Sequence, residues 1–233
     1  MSDTHYGTYS EYKGYTTPVV RDKHLRRLDA EFWTPTACTT EMSVLDIGCG
    51  TGLFLAYLAA KGVRKFTGID SDLNLQGILP ETVAGRFRVA EVTGFLDEAA
   101  GGPKFDRVVM LDVFEHFTIE DGLNLLRKIK LCLADDGTIL LKMPNAASPW
   151  GQQFQYGDLT HRAAYTPSSI RQQAIAAGFD CLSVFPHYLG SPVRQRMDKG
   201  YHWILSKILA TPLEIWTGNF FAILIPTSTE NDP

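Results

Sequence analysis

Apolar residues fall along the chain in short compact runs, separated by polar turns and by stretches of helical spacing. Residues 44–47, 65–70, 87–90, 105–111, 138–143, 179–185 and 220–225 are seven runs of strand length. The run at 105–111 is apolar on both faces, as the strands of a covered parallel sheet are. Helices fit between these runs. Residues 53–60 suit one, and a shorter helical stretch reaches residue 79. Residues 123–133 carry apolar side chains at 123, 125, 126, 129, 131 and 133, an amphipathic pattern that Asp135-Asp136-Gly137 turns into the strand from residue 138. Pro167 opens a further helix, which Gly178 terminates. Helices are also predicted over residues 20–32 and over residues 201–216, the latter bent at Pro212. Strands alternating with helices predict an α/β fold: a doubly wound, Rossmann-like, seven-stranded sheet, mainly parallel.

The first strand carries the most specific signal. Val44-Leu45-Asp46-Ile47 runs into Gly48-Cys49-Gly50-Thr51-Gly52 and then directly into the helix at 53–60. Glycines permit positive φ and close approach of a ligand to the backbone, and the exposed N–H groups of the helix start face that ligand. The spacing is G-x-G-x-G, not the G-x-G-x-x-G of dinucleotide-binding folds, and no lysine follows as in a phosphate-binding loop. The second strand ends in Asp70, 24 positions after Asp46, where an ionised carboxylate can accept from both hydroxyls of a ribose. A nicotinamide-binding domain, or a glycine turn with no ligand, are the alternatives.

Composition removes other classes. The chain has 233 residues, 45% hydrophobic and 21% charged, as expected for one globular domain with appendages. A net charge of −4 offers no electrostatic footprint for nucleic acid. Cys38, Cys49, Cys132 and Cys181 are scattered, with neither a zinc pattern nor a disulfide framework, and residues 1–6 lack the features of a signal peptide; a cytoplasmic location is expected.

At residues 44–52 and Asp70 the chain resembles the class I S-adenosylmethionine-dependent methyltransferases, over roughly residues 40–180. The resemblance implies S-adenosylmethionine as cofactor and an antiparallel last strand. It implies cofactor contacts at Asp46, Gly48, Cys49, Gly50, Gly52, Asp70 and Ser71, with Glu91 and Val92 at the adenine. Leu111 and Asp112 would lie beneath the methionine part, followed by Glu115 and His116. Simple capping and surface solvation are the alternative for Glu115 and His116.

Residues 144–166 lack clear periodicity, and so long a loop inside a compact domain is commonly functional. Leaving the carboxyl end of the fifth strand, it should overhang the methyl donor, with Asn145, Trp150, Tyr156, Arg162 and Tyr165 as candidate acceptor contacts. Asp158 could instead cap a turn, and His161 bond a carbonyl. A hydroxyl acceptor needs a base; His161 suits this, since an unperturbed imidazole titrates near about pH 6.5. Asp158, three residues away, would orient the imidazole or hold a sugar hydroxyl, and His116 is the rival base. The segments P-N-A-x-S-P, G-D-L-T-H-R-A-A-Y-T and A-G-F resemble a methyltransferase subgroup associated with bacterial surface-polysaccharide biosynthesis, which implies O-methylation of a sugar hydroxyl. O-methylation of a small natural product or quinone-like metabolite is the enzymatic alternative, and a non-catalytic cofactor-binding regulatory subunit the alternative of another class. The spacing of Asp112, Glu115 and Asp158 fits no metal motif.

The organisation expected is an N-terminal arm and capping helix over 1–40, then a methyltransferase domain over 41–233 with a substrate loop at 144–166 and a helical insertion at 187–217. The arm carries Tyr6, Tyr9, Tyr12 and Tyr15 at threefold spacing; Tyr15 and Arg21 are minor candidates near the cofactor. The stretch from Trp203 to Ile225 is apolar, but Lys207, Pro212, Glu214, Gly218 and Asn219 argue against a transmembrane span. Three readings remain for its helix: core packing or a lid, a homodimer contact, and a peripheral membrane contact, in that order.

Overall fold

The computed structural model describes residues 13–227; Tyr6, Tyr9 and Tyr12 lie outside them. Helix α1 (Asp22–Leu28) continues as a wider turn over Asp29–Trp33. Then follow β1 (Ser43–Ile47), α2 (Leu53–Ala60), β2 (Lys65–Asp70), β3 (Phe87–Val89), α3 (Val92–Ala99) and β4 (Phe105–Leu111). The second half holds α4 (Ile119–Cys132), β5 (Leu133–Pro144), α5 (Pro167–Ala176), β6 (Phe179–Pro186), α6 (Pro192–Ile208) and β7 (Asn219–Pro226).

The seven strands form one sheet in the order β3-β2-β1-β4-β5-β7-β6. β1 to β5 pair in parallel, and β7 is antiparallel to both β5 and β6, as expected. Strand order reverses on either side of β1, which puts the ligand crevice beyond the carboxyl ends of β1 and β4. The central strands are buried on both faces. Leu45, Ile47, Val108 and Met110 pack in one core layer beneath α4, while Val44 and Val109 pack in the other with Leu28, Phe32 and α2. Gly68 lets α2 settle on the sheet: a Cβ there would meet Leu55 at 2.6 Å.

Three boundaries differ from the periodicity. α4 starts at Ile119, because Thr118 caps it by accepting from the Asp121 backbone N–H. Leu133 belongs to β5, not to the helix. It pairs with Phe105, whereas Thr138 pairs with Arg107, so residues 134–137 bulge out of the ladder. The largest difference is α6. It begins nine residues before the expected start at 201, with Ser191 as N-cap and Pro192 in the first turn, and ends at Ile208, before Pro212. It buries none of its residues, which removes the core-packing reading for the helix itself. In the irregular segment after it, Ile215, Trp216 and Thr217 enter the protein.

That segment is tied to the carboxyl end of β5 by Asn145, which is fully buried. Its amide donates to the carbonyls of Ile215 (2.9 Å) and Thr217 (3.1 Å), and its Oδ1 accepts from the Ala147 N–H at 3.2 Å. Asn145→Ala would leave these buried groups unpaired, and we expect a loss of about 2–3 kcal/mol of stability, read as a lower urea midpoint with an unchanged m-value.

Candidate active site

β1 delivers Asp46 and then the glycine turn to the crevice. Gly48, Gly50 and Gly52 have φ of 70°, 51° and 80°, a region that other residues adopt only with strain. The Gly48 and Cys49 N–H groups donate to the Ile69 carbonyl at 2.8 and 3.0 Å, fastening the turn to the end of β2. A Cβ on Gly48 would meet Val113 at 2.4 Å, whereas one on Gly50 would meet nothing within 4 Å. The turn is therefore packed on its inner side and open above Gly50.

Two carboxylates border this opening. Asp46 is 2% exposed, its Oδ2 has no hydrogen-bond partner among the described residues, and burial, then neighbouring Asp70, push its pKa well above the usual range. Asp70 accepts from the Gly50 and Asp72 backbone N–H groups, both at 3.0 Å; its pKa too is raised by burial. The open face above Gly50 and the unpartnered Asp46 oxygen fit a ligand that brings polar groups of its own. Ser71 and Glu91 are exposed at the ends of β2 and β3, and Val92 is half-buried at the start of α3. Cys49 is buried, which raises its thiol pKa far out of reach of ionisation. Leu111 ends β4; Asp112 follows with φ of 58° and forms an ion pair with Lys142 at 2.6 Å.

The loop after β5 folds back onto the turn after β4. Backbone N–H groups of Arg162 (2.9 Å) and Ala163 (3.1 Å) both donate to the Glu115 carbonyl. This brings His116 and His161 together edge to face, with ring centroids 4.7 Å apart. The hydrogen bonds fix both tautomers. The Thr160 hydroxyl donates to Asp158 Oδ1 (2.6 Å), so toward His116 Nδ1, 3.0 Å away, it accepts; Nδ1 carries the proton. His161 Nδ1 lies 3.0 Å from the Gln155 carbonyl, which only accepts, so here too the proton is on Nδ1. Each ring is left with Nε2 as its basic nitrogen.

Asp158 thus acts on His116 through Thr160 and not, as expected, on His161. Burial alone would raise the Asp158 pKa, but hydrogen bonds from Thr160 and the ion pair with Lys13 at 3.2 Å draw it far below the usual range. His116 is lowered, first by burial and then by His161. Next to the rings sits Glu115, 1% exposed, with neither carboxylate oxygen hydrogen-bonded among the described residues and Oε1 3.9 Å from His161 Nε2. Burial, then the Asp112 carboxylate, push its pKa up to about 8. Capping and solvation do not describe this residue. Glu115, His116 and His161 each bring a donor atom within 4.8 Å of the others, a set able to share a divalent cation that the sequence spacing did not disclose.

Two clefts flank Arg162. One, about 330 Å³, is lined by His116, Phe117, Asn124 and Thr93; the other, about 280 Å³, by His161, Asp158, Tyr156 and Leu159. Of the expected acceptor contacts, Arg162 and Tyr156 face these clefts. Trp150 is partly exposed and packs on Tyr201, His202 and Trp216. Asn145 and Tyr165 do not reach the surface: Asn145 holds backbone carbonyls, and Tyr165, 1% exposed, packs on Phe114. Thr160, Gln155 and Lys13 were not singled out from the sequence, because their roles depend on how the loop closes.

Residues 16–184 match the family model described as "Methyltransferase domain". A ubiquinone biosynthesis O-methyltransferase of Rickettsia bellii is 30% identical over 94 residues, 39% of each chain. An O-antigen chain terminator bifunctional methyltransferase/kinase of Escherichia coli is 30% identical over 119 residues, 47% of this chain and 16% of that protein. The matches thus span well under half the length of these relatives. A SAM-dependent methyltransferase from Archaeoglobus fulgidus shares the fold, with a TM-score of 0.65 at 19% identity over 95% of this chain and 99% of that one.

The buried Glu115 makes stability depend on pH. Its folded-state pKa of about 8 exceeds the ordinary 4.5, so the native state holds a proton that the unfolded chain releases. The stability this contributes is complete below the lower value and is lost as pH rises through the upper one. Relative to Glu115→Gln, which does not titrate there, the wild-type melting temperature should fall between pH 4.5 and 8; parallel melting curves for the two would remove the assignment.

Proposed function

The chain belongs to the methyltransferase-domain family, and from that premise we propose that it is an S-adenosylmethionine-dependent O-methyltransferase whose acceptor is a sugar hydroxyl of a glycan or glycan precursor. The observation that carries the reading is the imidazole pair formed where the turn after β4 meets the loop after β5, with both tautomers set so that Nε2 can accept a proton. Asp46, Asp70 and the open backbone at Gly50 are suited to hold the cofactor's polar groups, with Ser71, Glu91, Val92, Leu111 and Asp112 around them. When bound, S-adenosylmethionine supplies a methyl group already activated on a sulfonium.

What is left to the protein is alignment, exclusion of water and removal of the hydroxyl proton. Both imidazoles are candidates for that last step. The geometry favours His116: it lines the larger cleft, and its lowered pKa keeps it neutral and able to accept at neutral pH. Asp158 and Thr160 hold its other nitrogen and favour the imidazolium once formed. His161, held by Gln155, is the second proton acceptor. Arg162, Tyr156 and Trp150 offer the donors and flat apolar surface that carbohydrate recognition uses. The partial match to the E. coli O-antigen protein supports a glycan acceptor, while the rickettsial match supports a quinone-like metabolite as the second reading.

Titration calorimetry with S-adenosylmethionine, S-adenosylhomocysteine and NADH tests the cofactor. The two sulfur compounds should bind and NADH should not; NADH alone binding would overturn the assignment. Asp70→Ala should weaken cofactor affinity by about tenfold or more, as loss of a charged hydrogen-bonding partner does. With labelled methyl donor and a panel of sugar and phenolic acceptors, His116→Ala should lower kcat about 10²–10⁴-fold while cofactor affinity stays near normal. A comparable loss only in His161→Ala would move the base to His161.

A further inference from the structure

Helix α6 lies at the carboxyl end of the sheet. β6 runs parallel to β5 through their common antiparallel partner β7, so the connection from 187 to 218 is on the same side as the crevice. The helix rests on the protein through a half-buried face, residues 195, 198, 202, 205 and 206. Trp216 Nε1 donates to Ser206 Oγ at 2.8 Å, and His202 packs on Trp150 and Tyr188.

The opposite face is apolar and open. Val193, Met197, Tyr201, Ile204 and Ile208 follow one another at intervals of four and three residues, so they share one stripe, and Val193, Met197 and Ile208 are 63%, 64% and 70% exposed. Trp203 stands beside the stripe, 64% exposed, and Leu209 extends it. The charges complete the pattern. α6 carries Arg194, Arg196, Lys199 and Lys207 against the single acid Asp198, inside a chain whose net charge is −4. Lys199 and Lys207 flank Trp203 on the same side of the helix, each four residues away, and Arg196 lies two turns before it. A helix with an exposed aliphatic stripe, a neighbouring tryptophan and cationic flanks matches a helix that lies in the plane of an anionic lipid surface. Arg194 pairs with Asp198 at 3.2 Å, which leaves Arg196, Lys199 and Lys207 in excess; a second copy would bring like charge against like, which disfavours self-association through the same face.

We propose that α6 docks the protein on an anionic lipid bilayer, its apolar stripe entering the headgroup boundary and its lysines and arginines facing the phosphates. The docking stands on the residues of α6 alone. Its consequence rests on the methyltransferase reading above: Trp150, Tyr156 and Leu159 of the loop beside the clefts are exposed on the same side, so the acceptor would be taken from the membrane surface.

Sedimentation with vesicles tests this without any acceptor. The full chain should pellet with vesicles of phosphatidylcholine and phosphatidylglycerol at about 7:3, not with phosphatidylcholine alone, and less as salt rises. Ile204→Asp/Ile208→Asp and, separately, Arg196→Glu/Lys207→Glu should each weaken binding about tenfold or more; being at exposed positions, both should keep the wild-type melting temperature and S-adenosylmethionine affinity. Absence of vesicle binding by the wild type overturns the docking. If light scattering then shows a dimer that Ile204→Asp/Ile208→Asp dissociates, the stripe covers a second copy. Cofactor binding by calorimetry separates failure of the docking from failure of the methyltransferase reading.

Discussion

The carbonyl oxygen of Glu115 accepts two backbone hydrogen bonds, from Arg162 and Ala163, across 47 and 48 residues of sequence. This pairing joins the turn after β4 to the long loop after β5, and the candidate chemistry depends on it. His116 and His161 come from these two segments, as do the members of the Asp158–Thr160–His116 relay. A carbonyl has two lone pairs, and using both here leaves the Glu115 peptide little freedom to rotate. The loop's other backbone groups are held locally: Asn145 secures Ala147, Ser148 accepts from Trp150, and Gln155 donates to the Ala163 carbonyl. A loop whose regular structure is one helical turn, Gln152–Gln155, is thus tied down by its own polar groups.

Electrostatics separate the carboxylates at this end of the sheet into two kinds. Asp46 and Glu115 are almost fully buried, have oxygens without hydrogen-bond partners among the described residues, and are held toward the protonated form. Asp158 has Thr160 and Lys13 as partners and stays ionised. An isolated buried carboxylate is among the costliest groups a fold can retain, so the first kind is explained better by a ligand that supplies donors or positive charge than by packing. Asp46 borders the glycine turn and Glu115 underlies the imidazoles. Among the described residues, two buried carboxylates with unpaired oxygens therefore lie where the proposed reaction would take place.

Local features were legible in the sequence and nonlocal ones were not. The β1–glycine turn–α2 unit was readable because apolar run, turn and helix are contiguous; Gly48, Gly50 and Gly52 adopt the positive φ their type suggested. The antiparallel β7 came from family resemblance and not from its residues. Asn145 and Tyr165 were assigned to the acceptor because polar and aromatic residues in a loop suggest recognition, yet irregular backbone must also satisfy its own buried carbonyls, and Asn145 does this. Glu115 was underrated because nothing local distinguishes a solvated acid from one covered by a loop closing 47 residues later. In α6 the start signals, Ser191 and Pro192, were present, but the apolar density further on drew the boundary toward 201–216. Apolar periodicity identifies a face without saying what covers it.

The contact between the imidazoles limits how the pair can handle protons. At a centroid separation of 4.7 Å, a charge on one ring opposes a charge on the other, and His161 already contributes to lowering His116. Positive charge on both rings at once is therefore disfavoured by their contact. A proton taken from an acceptor by His116 finds the His161 ring nearby. The cluster can thus hold the proton away from the acceptor oxygen while that oxygen is nucleophilic. Loss of the His161 ring should then raise the pH at which His116 titrates, a coupling that two independent surface histidines would not show.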